Sequence, residues 1–595
     1  MQQTESILSQ KRRMSTAQYG SDLLVELFGG LDIPYVALNP GSSYRGLHDS
    51  FVNFPGAPEM VMCCHEEIAV AVAHGYARVT GKPLLAAVHD VVGLQHATMA
   101  IYNAWCDRVP IIVIGGTGPM AVENRRNHID WVHTANVQGN LVRDFVKFDD
   151  QPASIAGLPE SVLRGYKIAM TEPQGPVYLC FDADLQEGSI ETPLKLPDFS
   201  RFQPPPTAAP DSDTVEQIAG LLARATFPVI VADAVGRHRE AIKALSELAE
   251  LLEAPVVSTG ARFNIASNHR LNLTGSRQEV LGKADIVLAL DVFDLAAALG
   301  PGISAERDER QFVSEDCTVV HIGIWDLLQH SLISDYGRLA AVDVPVAADT
   351  ALALPMLVEA CRRALEADSG SRNRLADRGR DIESIREKAR ERAQAGGRRN
   401  WDSRPISMER VSSDLWEVVQ QAGVPWSFVS GGPRGGGWTI TEPEHITGGG
   451  RGAGLGQAAG IAVGASLAHK GSGRLCVSII GDGDFLYTPT SLWTASHMRL
   501  PLLTIVNNNK SYGNDEGHQE YIARTRGRPL ERRGIGVFIE DPATNFAHLG
   551  RAFDVEGFGP VEDPAEVRGI LEHAVNLVIK EQRPVIVDVS TQRRT

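Results

Sequence analysis

Short apolar runs, each bounded by turn-forming residues and separated by helix-length segments, recur along the whole chain. Runs of this length and composition are typical of strands buried on both faces of a sheet. Strands that alternate with helices pair in parallel, and the helices cover both faces of the sheet. The pattern therefore predicts an α/β protein built from doubly wound parallel sheets. The predicted strands lie at 84–88, 111–114, 228–232, 255–258, 286–290, 319–322, 475–480, 502–506 and 585–589.

These strands fall into three blocks, which we interpret as three domains. A proline-rich polar stretch at 197–213 separates the first block from the second, and a stretch rich in arginine and glutamate leads to the third. Such stretches are typical of linkers and solvated connectors. The predicted boundaries are 15–195 for an N-terminal domain, 210–365 for a middle domain, 366–405 for a charged linker and 406–595 for a C-terminal domain.

The composition indicates which kinds of molecule this protein binds. The chain has 595 residues, of which 43% are hydrophobic, so it can bury a large core. Its formal net charge of -16 argues against nucleic acid or an anionic membrane surface as the main partner. Seven cysteines without a CxxC pair argue against a zinc ribbon, and no apolar segment is long enough for a membrane span. We expect a cytoplasmic protein that binds small molecules.

The first and third blocks share an internal repeat. In each block a helix rich in glycine and alanine precedes an apolar strand, a polar turn follows the strand, and a second helix leads to the next strand. The first helices are predicted at 66–78 and 455–468, and the turns at 89–93 and 481–483. Ligands of open α/β sheets bind beyond the carboxyl ends of the strands, where both turns fall. The repeat therefore predicts one site built from two halves.

Polar side chains follow two successive strands of the third block. Asp482 lies between two glycines directly after a strand, and Asn509 closes the next strand 27 positions later. A carboxylate, an amide oxygen and a backbone carbonyl at one sheet edge suit Mg²⁺, which completes its shell with phosphate oxygens and water. Gly481 and Gly483 let backbone amides approach a phosphate closely. The alternative is a tight turn with a capping aspartate, which leaves Asn509 unexplained.

These segments, continued by Lys510-Ser511-Tyr512-Gly513, resemble the diphosphate motif of the thiamine-diphosphate-dependent enzymes. The segments Cys64-His65-Glu66-Glu67 and Gly75-Tyr76-Ala77-Arg78 are similar to the activating-glutamate helix of that family. The resemblance covers roughly residues 20–190 and 406–590. It implies thiamine diphosphate and Mg²⁺ as cofactors, with the metal held by Asp482, Asn509 and the carbonyl of Ser511. The implied cofactor contacts are Glu66, Leu455, Gly481, Asp482, Gly483, Asp484, Asn509, Ser511 and Tyr512.

The resemblance also gives Glu66 a chemical role. A carboxyl group against the aminopyrimidine ring favours the tautomer that removes the C2 proton of the thiazolium ring, and the resulting carbon attacks a substrate carbonyl. We expect burial to raise the pKa of Glu66 towards neutrality. The alternative is that Glu66 caps the N-terminus of its helix, a role that Glu67 would serve equally well.

Two further segments resemble the benzoylformate decarboxylase branch of the family. These are Asn39-Pro40-Gly41-Ser42-Ser43 and the segment that runs from His89 to Gly93. The resemblance implies that Ser42 holds the substrate carboxylate and that His89 relays protons to the product. The alternatives are a serine that stabilises a turn and a histidine that caps a strand end.

The chain departs from that branch at two places. The second catalytic histidine of the branch comes from the middle domain, but the corresponding segment 290–298 contains no histidine. His518 is our candidate for its replacement. Asp484 stands where the family usually has a small residue, which adds negative charge near the expected diphosphate.

The resemblance implies a decarboxylase of a 2-oxo acid that works through a C2 ylid and an enamine. It leaves open an acetolactate-synthase-like carboligase, a lyase or hydrolase of a 1,2-dicarbonyl, and a non-catalytic homologue. A flavin-containing oxidase, with FAD in the middle domain as in some relatives, is a further alternative, although no motif supports FAD. Because the N- and C-terminal domains of one site belong to different subunits in this family, the resemblance implies a homodimer at minimum, commonly paired into a homotetramer. The motifs do not specify the natural substrate.

Overall fold

The computed structural model describes residues 14–126, 132–301, 310–328, 339–396, 400–435 and 437–593. Its strands form three sheets in which neighbouring strands run parallel, flanked by helices, so the predicted fold class is confirmed. The strands are β1 Tyr35–Leu38, β2 Glu59–Met62, β3 Leu85–Val88, β4 Ile112–Thr117, β5 Asp149–Asp150, β6 Val177–Asp182, β7 Pro228–Ala232, β8 Val256–Ser258, β9 Ile286–Leu290, β10 Thr318–Gly323, β11 Val344–Ala347, β12 Trp426–Ser430, β13 Leu475–Gly481, β14 Leu502–Asn508, β15 Glu556–Val561 and β16 Val585–Ser590.

Helices connect most successive strands, as parallel pairing requires. In the described ranges they are α1 Gly20–Gly30, α2 Arg45–Asn53, α3 Glu66–Thr80, α4 Val91–Cys106, α5 Leu158–Met170, α6 Ala183–Glu187, α7 Ser212–Arg224, α8 Arg239–Leu252, α9 Arg277–Leu281, α10 Leu295–Leu299, α11 Thr350–Ala367, α12 Ser371–Gly396, α13 Met408–Ala422, α14 Gln457–Ala468, α15 Asp482–Phe485, α16 Ser491–His497, α17 Gly513–Thr525, α18 Phe546–Ala552 and α19 Val567–Glu581. Helix α12 occupies most of the predicted charged linker. None of the helices in these ranges combines the length and apolarity needed to cross a bilayer.

The order of the strands confirms the predicted internal repeat. The N-terminal sheet has the order β2-β1-β3-β4-β6-β5, and the C-terminal sheet has the order β12-β13-β14-β16-β15. Apart from the additional edge strand β2, the two sheets place their strands in the same sequence. The middle sheet, β11-β10-β9-β7-β8, has a different order. The first and third units are therefore two copies of one architecture.

The two predicted turns differ in detail from the structure. Helix α4 begins at Val91, inside the predicted turn, and the Val91 N–H, which has no partner within the helix, donates to the distant carbonyl of His133 (3.1 Å). The predicted Gly-Asp-Gly turn opens directly into the short helix α15. Asp482 is therefore the first residue of α15, whereas His89 and the N-cap residue Asp90 directly precede α4.

Helices α3 and α14 join the N- and C-terminal units of the chain. A methyl group added at Gly75 would lie 2.1 Å from the Ile461 carbonyl oxygen, and one at Gly464 would lie 2.0 Å from that of Val72. Both distances are shorter than van der Waals contact, so the two backbones approach closely only because these residues are glycines. This packing sets the position of the two sheet edges that carry the predicted site.

Candidate active site

Glu66 is the first residue of α3, but it does not cap the helix. The N-cap is His65, whose Nδ1 accepts the Glu67 N–H (3.2 Å). The Glu66 side chain is buried instead, with Oε2 lying 3.1 Å from His96 Nδ1 and with a hydrogen bond from the Asn39 side chain. The carboxyl group therefore lies at the carboxyl edge of the N-terminal sheet, beside the residue that follows β1.

The pKa of Glu66 is lowered, contrary to the expectation that burial would raise it. Burial raises the pKa, but hydrogen bonds from Asn39, from the Glu66 backbone amide and from His96 stabilise the carboxylate more strongly. The prediction was wrong because Asn39 and His96 are contacts across the fold that the local sequence does not reveal. Glu66 is thus held as a carboxylate in this state.

Glu67 faces the C-terminal unit. A methyl group at Gly456 would lie 2.9 Å from Glu67 Oε1, and the backbone amide of Gly456 donates to Asp484. Burial and the nearby Asp484 carboxylate raise the pKa of Glu67 to about 7. The adjacent residues Glu66 and Glu67 thus contact different parts of the chain, the first the N-terminal unit and the second the C-terminal unit.

His89 lies next to Glu66 at the same sheet edge. A methyl group at Gly93 would lie 2.9 Å from His89 Cβ and 3.0 Å from Glu66 Oε1, so the two side chains flank this glycine. His89 Nδ1 lies 3.0 Å from Ser43 Oγ. Ser43 is buried, whereas Ser42 is exposed. The serine in contact with the histidine is therefore Ser43, one position after the predicted Ser42.

The predicted metal ligands lie on adjacent strand ends. Gly481 pairs with Asn507 in the sheet, which brings the end of β13 beside the end of β14. Asp482 Oδ1 accepts the Gly483 N–H (3.0 Å), and the nearby backbone amides of Lys510 and Ser511 also lower the pKa of Asp482. Burial nevertheless raises its pKa to about 6.

Asn509 and Ser511 form a tight turn beside this aspartate. Asn509 Oδ1 accepts the Ser511 N–H (2.9 Å), and Lys510 between them has a positive φ of 55°. Ser511 is buried, and its hydroxyl donates to Glu516. The turn therefore holds the amide and carbonyl oxygens of this segment close to Asp482.

His518 lies on the exposed side of α17. Its Nε2 is 3.3 Å from Asn514 Nδ2, one helical turn away. Among the described residues of this chain, no hydrogen bond joins His518 to the cluster around His89. Its proposed catalytic role stays a prediction.

Three sequence profiles of one enzyme family match the chain. The N-terminal TPP binding domain of the thiamine pyrophosphate enzymes matches residues 18–138, their central domain matches 215–357, and their C-terminal TPP binding domain matches 436–589. The chain belongs to the thiamine pyrophosphate enzyme family. It is an enzyme that depends on this cofactor, also called thiamine diphosphate, of the carboxy-lyase or carboligase type.

Individual relatives match nearly the whole of this thiamine pyrophosphate enzyme. The acetolactate synthase large subunit of Lactococcus lactis is 23% identical over 594 residues, covering 97% of this chain and 93% of that protein. Benzoylformate decarboxylase of Pseudomonas aeruginosa is 25% identical over 569 residues, covering 93% and 95%. The solved structure of benzoylformate decarboxylase from Polynucleobacter necessarius shares the fold, with a TM-score of 0.73 at 19% identity over 97% of this chain and 99% of that one.

The residues of this thiamine pyrophosphate enzyme fit a metal-bound diphosphate. Asp482 Oδ2 is buried and has no hydrogen-bond partner within the described part of the chain, as expected of an atom that faces a cation. A methyl group at Gly481 would meet no atom within 4 Å, so space is open where the diphosphate is expected. Leu455 keeps 38% of its surface exposed and can cover an apolar ring. The donor set is composed of oxygen atoms, which Mg²⁺ prefers.

Three of the remaining predicted cofactor contacts shape the protein around this space. A methyl group at Gly483 would lie 2.6 Å from the Tyr512 ring, so the ring packs directly on this glycine. Asp484 accepts the N–H of Gly456, the residue after Leu455. Gly456 has a φ of 92°. In this chain Asp484 therefore orders the loop that carries Leu455.

Sequence reasoning missed several residues of the N-terminal cluster. Asn39 and Ser43 lie in a segment that the motif already marked, but their contacts depend on the turn after β1. His96 follows Glu66 by 30 positions and contacts it across two helices. His133, which lies 3.3 Å from His89, comes from a loop with no recognisable motif.

Proposed function

We propose that this protein is a Mg²⁺-dependent decarboxylase of a 2-oxo acid. The observation that carries the proposal is the proximity of Glu66 and His89 at the carboxyl edge of the N-terminal sheet, where Glu66 Oε1 lies 3.0 Å and His89 Cβ 2.9 Å from the position of a methyl group added at Gly93. A buried carboxylate that can bind the aminopyrimidine ring thus lies beside a histidine that can move a proton. Both belong to a unit that matches the N-terminal TPP binding domain.

Each group of this site has a defined task in such a reaction. When bound, thiamine diphosphate would supply a carbon nucleophile and an electron sink. The Glu66 carboxylate would bind the aminopyrimidine ring nitrogen and share a proton with it. His89 delivers a proton to the product, and Ser43 or Ser42 binds the substrate carboxylate. Asp482, Asn509 and the carbonyl of Ser511 hold the metal.

The arrangement within one chain supports a site shared between two copies. The loop of Asp484 and Gly456 is contacted by Glu67 of the same chain, while Glu66 is directed to the cluster of His96 and Asn39. We infer that Glu66 completes its site with the diphosphate loop of a second subunit. The protein is then a homodimer, or a homotetramer built from two such dimers.

Carboligation is a second candidate. The segment 290–298 supplies no histidine, and the acetolactate synthase large subunit of Lactococcus lactis is a relative along nearly the whole chain. A ligase of this kind joins the same activated carbon to a second carbonyl compound. Both activities use Glu66 and the metal ligands, so the products distinguish them.

The test is CO₂ release and product analysis over aromatic and aliphatic 2-oxo acids, with thiamine diphosphate and Mg²⁺ added. We expect an aldehyde as the main product and loss of activity when a chelator removes the metal. A hydroxyketone product would support the ligase, and absorbance near 450 nm (a generic flavin property) would indicate a flavin enzyme. Absence of CO₂ release from every substrate would contradict both candidates.

Glu66→Gln and Glu67→Gln form a matched pair for the role of the glutamate. Both replace a carboxyl by an amide at adjacent positions of α3. We expect Glu66→Gln to reduce turnover by about a hundredfold or more while cofactor binding is largely kept. Glu67→Gln should retain most of the turnover. Equal activity of the two variants would refute the assignment of Glu66.

A further inference from the structure

We propose that His133 is the second histidine of this site: it holds a proton together with His89 and restores that proton from solvent after each turnover. The proposal rests on the proposed decarboxylation, in which a proton must be delivered to the product. No motif marks His133, and it belongs to the N-terminal unit rather than to the middle unit or to α17.

The geometry couples the two imidazoles directly. His133 Nδ1 lies 3.3 Å from His89 Nε2, and the ring planes are inclined by 74° with their centroids 5.4 Å apart. This is an edge-on arrangement in which the two nitrogens face each other, rather than a stack of two rings. A proton on either nitrogen can therefore be donated to the other.

The backbone around His133 is fixed at several points. Its carbonyl accepts the Val91 N–H (3.1 Å), at the start of α4 and two residues after His89. Thr134 Oγ1 accepts the Gly118 N–H (2.8 Å), and the buried Gln138 side chain donates to the Gly116 carbonyl (2.8 Å). These bonds tie the segment to the end of β4, so His133 is held beside His89 by the fold.

Hydrogen-bonding and acidic groups lie on the other side of His89. Ser43 Oγ accepts the Asp90 N–H (3.2 Å) and lies 3.0 Å from His89 Nδ1. The buried Asp90 carboxylate lies 3.5 Å from the same nitrogen. Glu66, with His96, faces His89 across Gly93. Negative charge beside an imidazole stabilises its protonated form.

The neighbourhood of Asp90 contains further titratable groups. These are the buried hydroxyl groups of Tyr44 and Tyr178 and the buried thiol of Cys180. Burial raises the pKa of each of them, so they stay neutral near pH 7.

One proton moves from solvent to the product in each turnover. The His89 Nε2–H bond breaks as the product carbon gains the proton, and the electron pair stays on Nε2. His133, which keeps its own proton on Nε2, then takes a proton from solvent at Nδ1 and passes that proton to His89 Nε2. Both rings are half-buried, and the His89 side chain is only 15% exposed, so His133 offers a second route for a proton from water to His89 Nε2. One solvent proton thus reaches the product, and both rings return to their starting state.

The first test compares His133→Ala and His133→Asn with wild type in a single turnover. Asparagine retains an acceptor for the His89 N–H but transfers no proton. We expect both variants to release one equivalent of CO₂ at the wild-type rate and to release the aldehyde about a hundredfold more slowly. Imidazole in the buffer should restore aldehyde release in His133→Ala. Wild-type aldehyde release in both variants, or slow release in His518→Ala alone, would overturn the proposal.

The second test does not require a substrate. Diethyl pyrocarbonate modifies neutral imidazole, so the pH dependence of His89 labelling, read by mass spectrometry on the cofactor-loaded protein, reports its protonation. We expect the labelling midpoint of His89 to fall by about one pH unit in His133→Ala, since the charged ring loses its acceptor. An unchanged midpoint refutes the coupling. If wild type releases no CO₂ from any 2-oxo acid, the proposed function fails, and this midpoint still decides the coupling.

Discussion

Glu66 and Glu67 are adjacent acidic residues in opposite electrostatic environments. Hydrogen bonds from Asn39 and His96 lower the pKa of Glu66 despite burial, whereas burial and Asp484 raise the pKa of Glu67 to about 7. Because successive residues of a helix point about 100° apart, one carboxyl group reaches the edge of its own sheet and the other reaches the C-terminal loop. This separation at the residue level lets α3 serve both the N-terminal cluster and the junction with α14.

The raised pKa of Glu67 gives a prediction for stability. Its pKa is about 7 in the folded chain and about 4.3 in an unfolded chain. The folded state therefore binds more protons in this window, so the contribution of Glu67 to the free energy of unfolding falls as pH rises. Glu67→Gln has no carboxyl group at this position, so its free energy of unfolding does not fall with rising pH for this reason.

We therefore expect Glu67→Gln to gain thermal stability relative to wild type between about pH 5 and about pH 8. Thermal unfolding of the two proteins across this range measures the difference. A constant difference in melting temperature at every pH would show that Glu67 does not titrate in this window.

How far the sequence predicts the site depends on the kind of contact. Asp482 and Asn509 follow successive strands, so their proximity follows from parallel pairing. The contact between Ser43 and His89 does not, because it depends on the 3-10 helix Ser42–Tyr44, which buries the second serine and leaves the first exposed. The position of His133 is even harder to predict from the sequence, since it depends on hydrogen bonds across the fold.

At the level of elements, helices α3 and α14 pack against each other and join the N-terminal and C-terminal sheets. The predicted helices were recognisable from their glycine and alanine content, but their mutual contact was not, because residues nearly 400 positions apart meet there. The two backbones meet at Gly75, Gly460 and Gly464, where added methyl groups would lie between 2.0 and 2.5 Å from the facing helix. The two helices can therefore be predicted from the sequence. The reason that they are rich in glycine and alanine is visible only in their contact in the structure.

Gly464→Ala tests this contact. A methyl group there would lie 2.0 Å from the Val72 carbonyl oxygen, so the helices must separate, and we expect a loss of about 1–3 kcal/mol in the free energy of unfolding. The matched control is Gly379→Ala in α12, where a methyl group meets no atom within 4 Å and should stabilise the helix by up to about 1 kcal/mol. Chemical denaturation of the two variants provides the comparison. Equal effects would mean that the close approach of α3 and α14 is not required.

At the level of the whole molecule, buried polar contacts join the units. Asp107 accepts the backbone amides of Gly450 and Arg451 and lies 2.9 Å from His74 Nε2. Arg78 donates to carbonyls of the C-terminal unit at Gly448 and of the middle unit at Ala261. The alternation of strands and helices predicted three sheets, but these contacts between units could not be predicted, because each depends on a separate loop.

The central claim at this scale is that Glu66 of one subunit and Asp482 of another complete each site. Co-expression of Glu66→Gln and Asp482→Asn chains, each inactive alone, tests it most directly through CO₂ release. In a mixed dimer one site then receives both intact residues and the other receives neither. We expect about a quarter of the wild-type activity from random pairing. Activity no higher than that of the separate variants, in a preparation shown by mass spectrometry to contain mixed dimers, would contradict the claim.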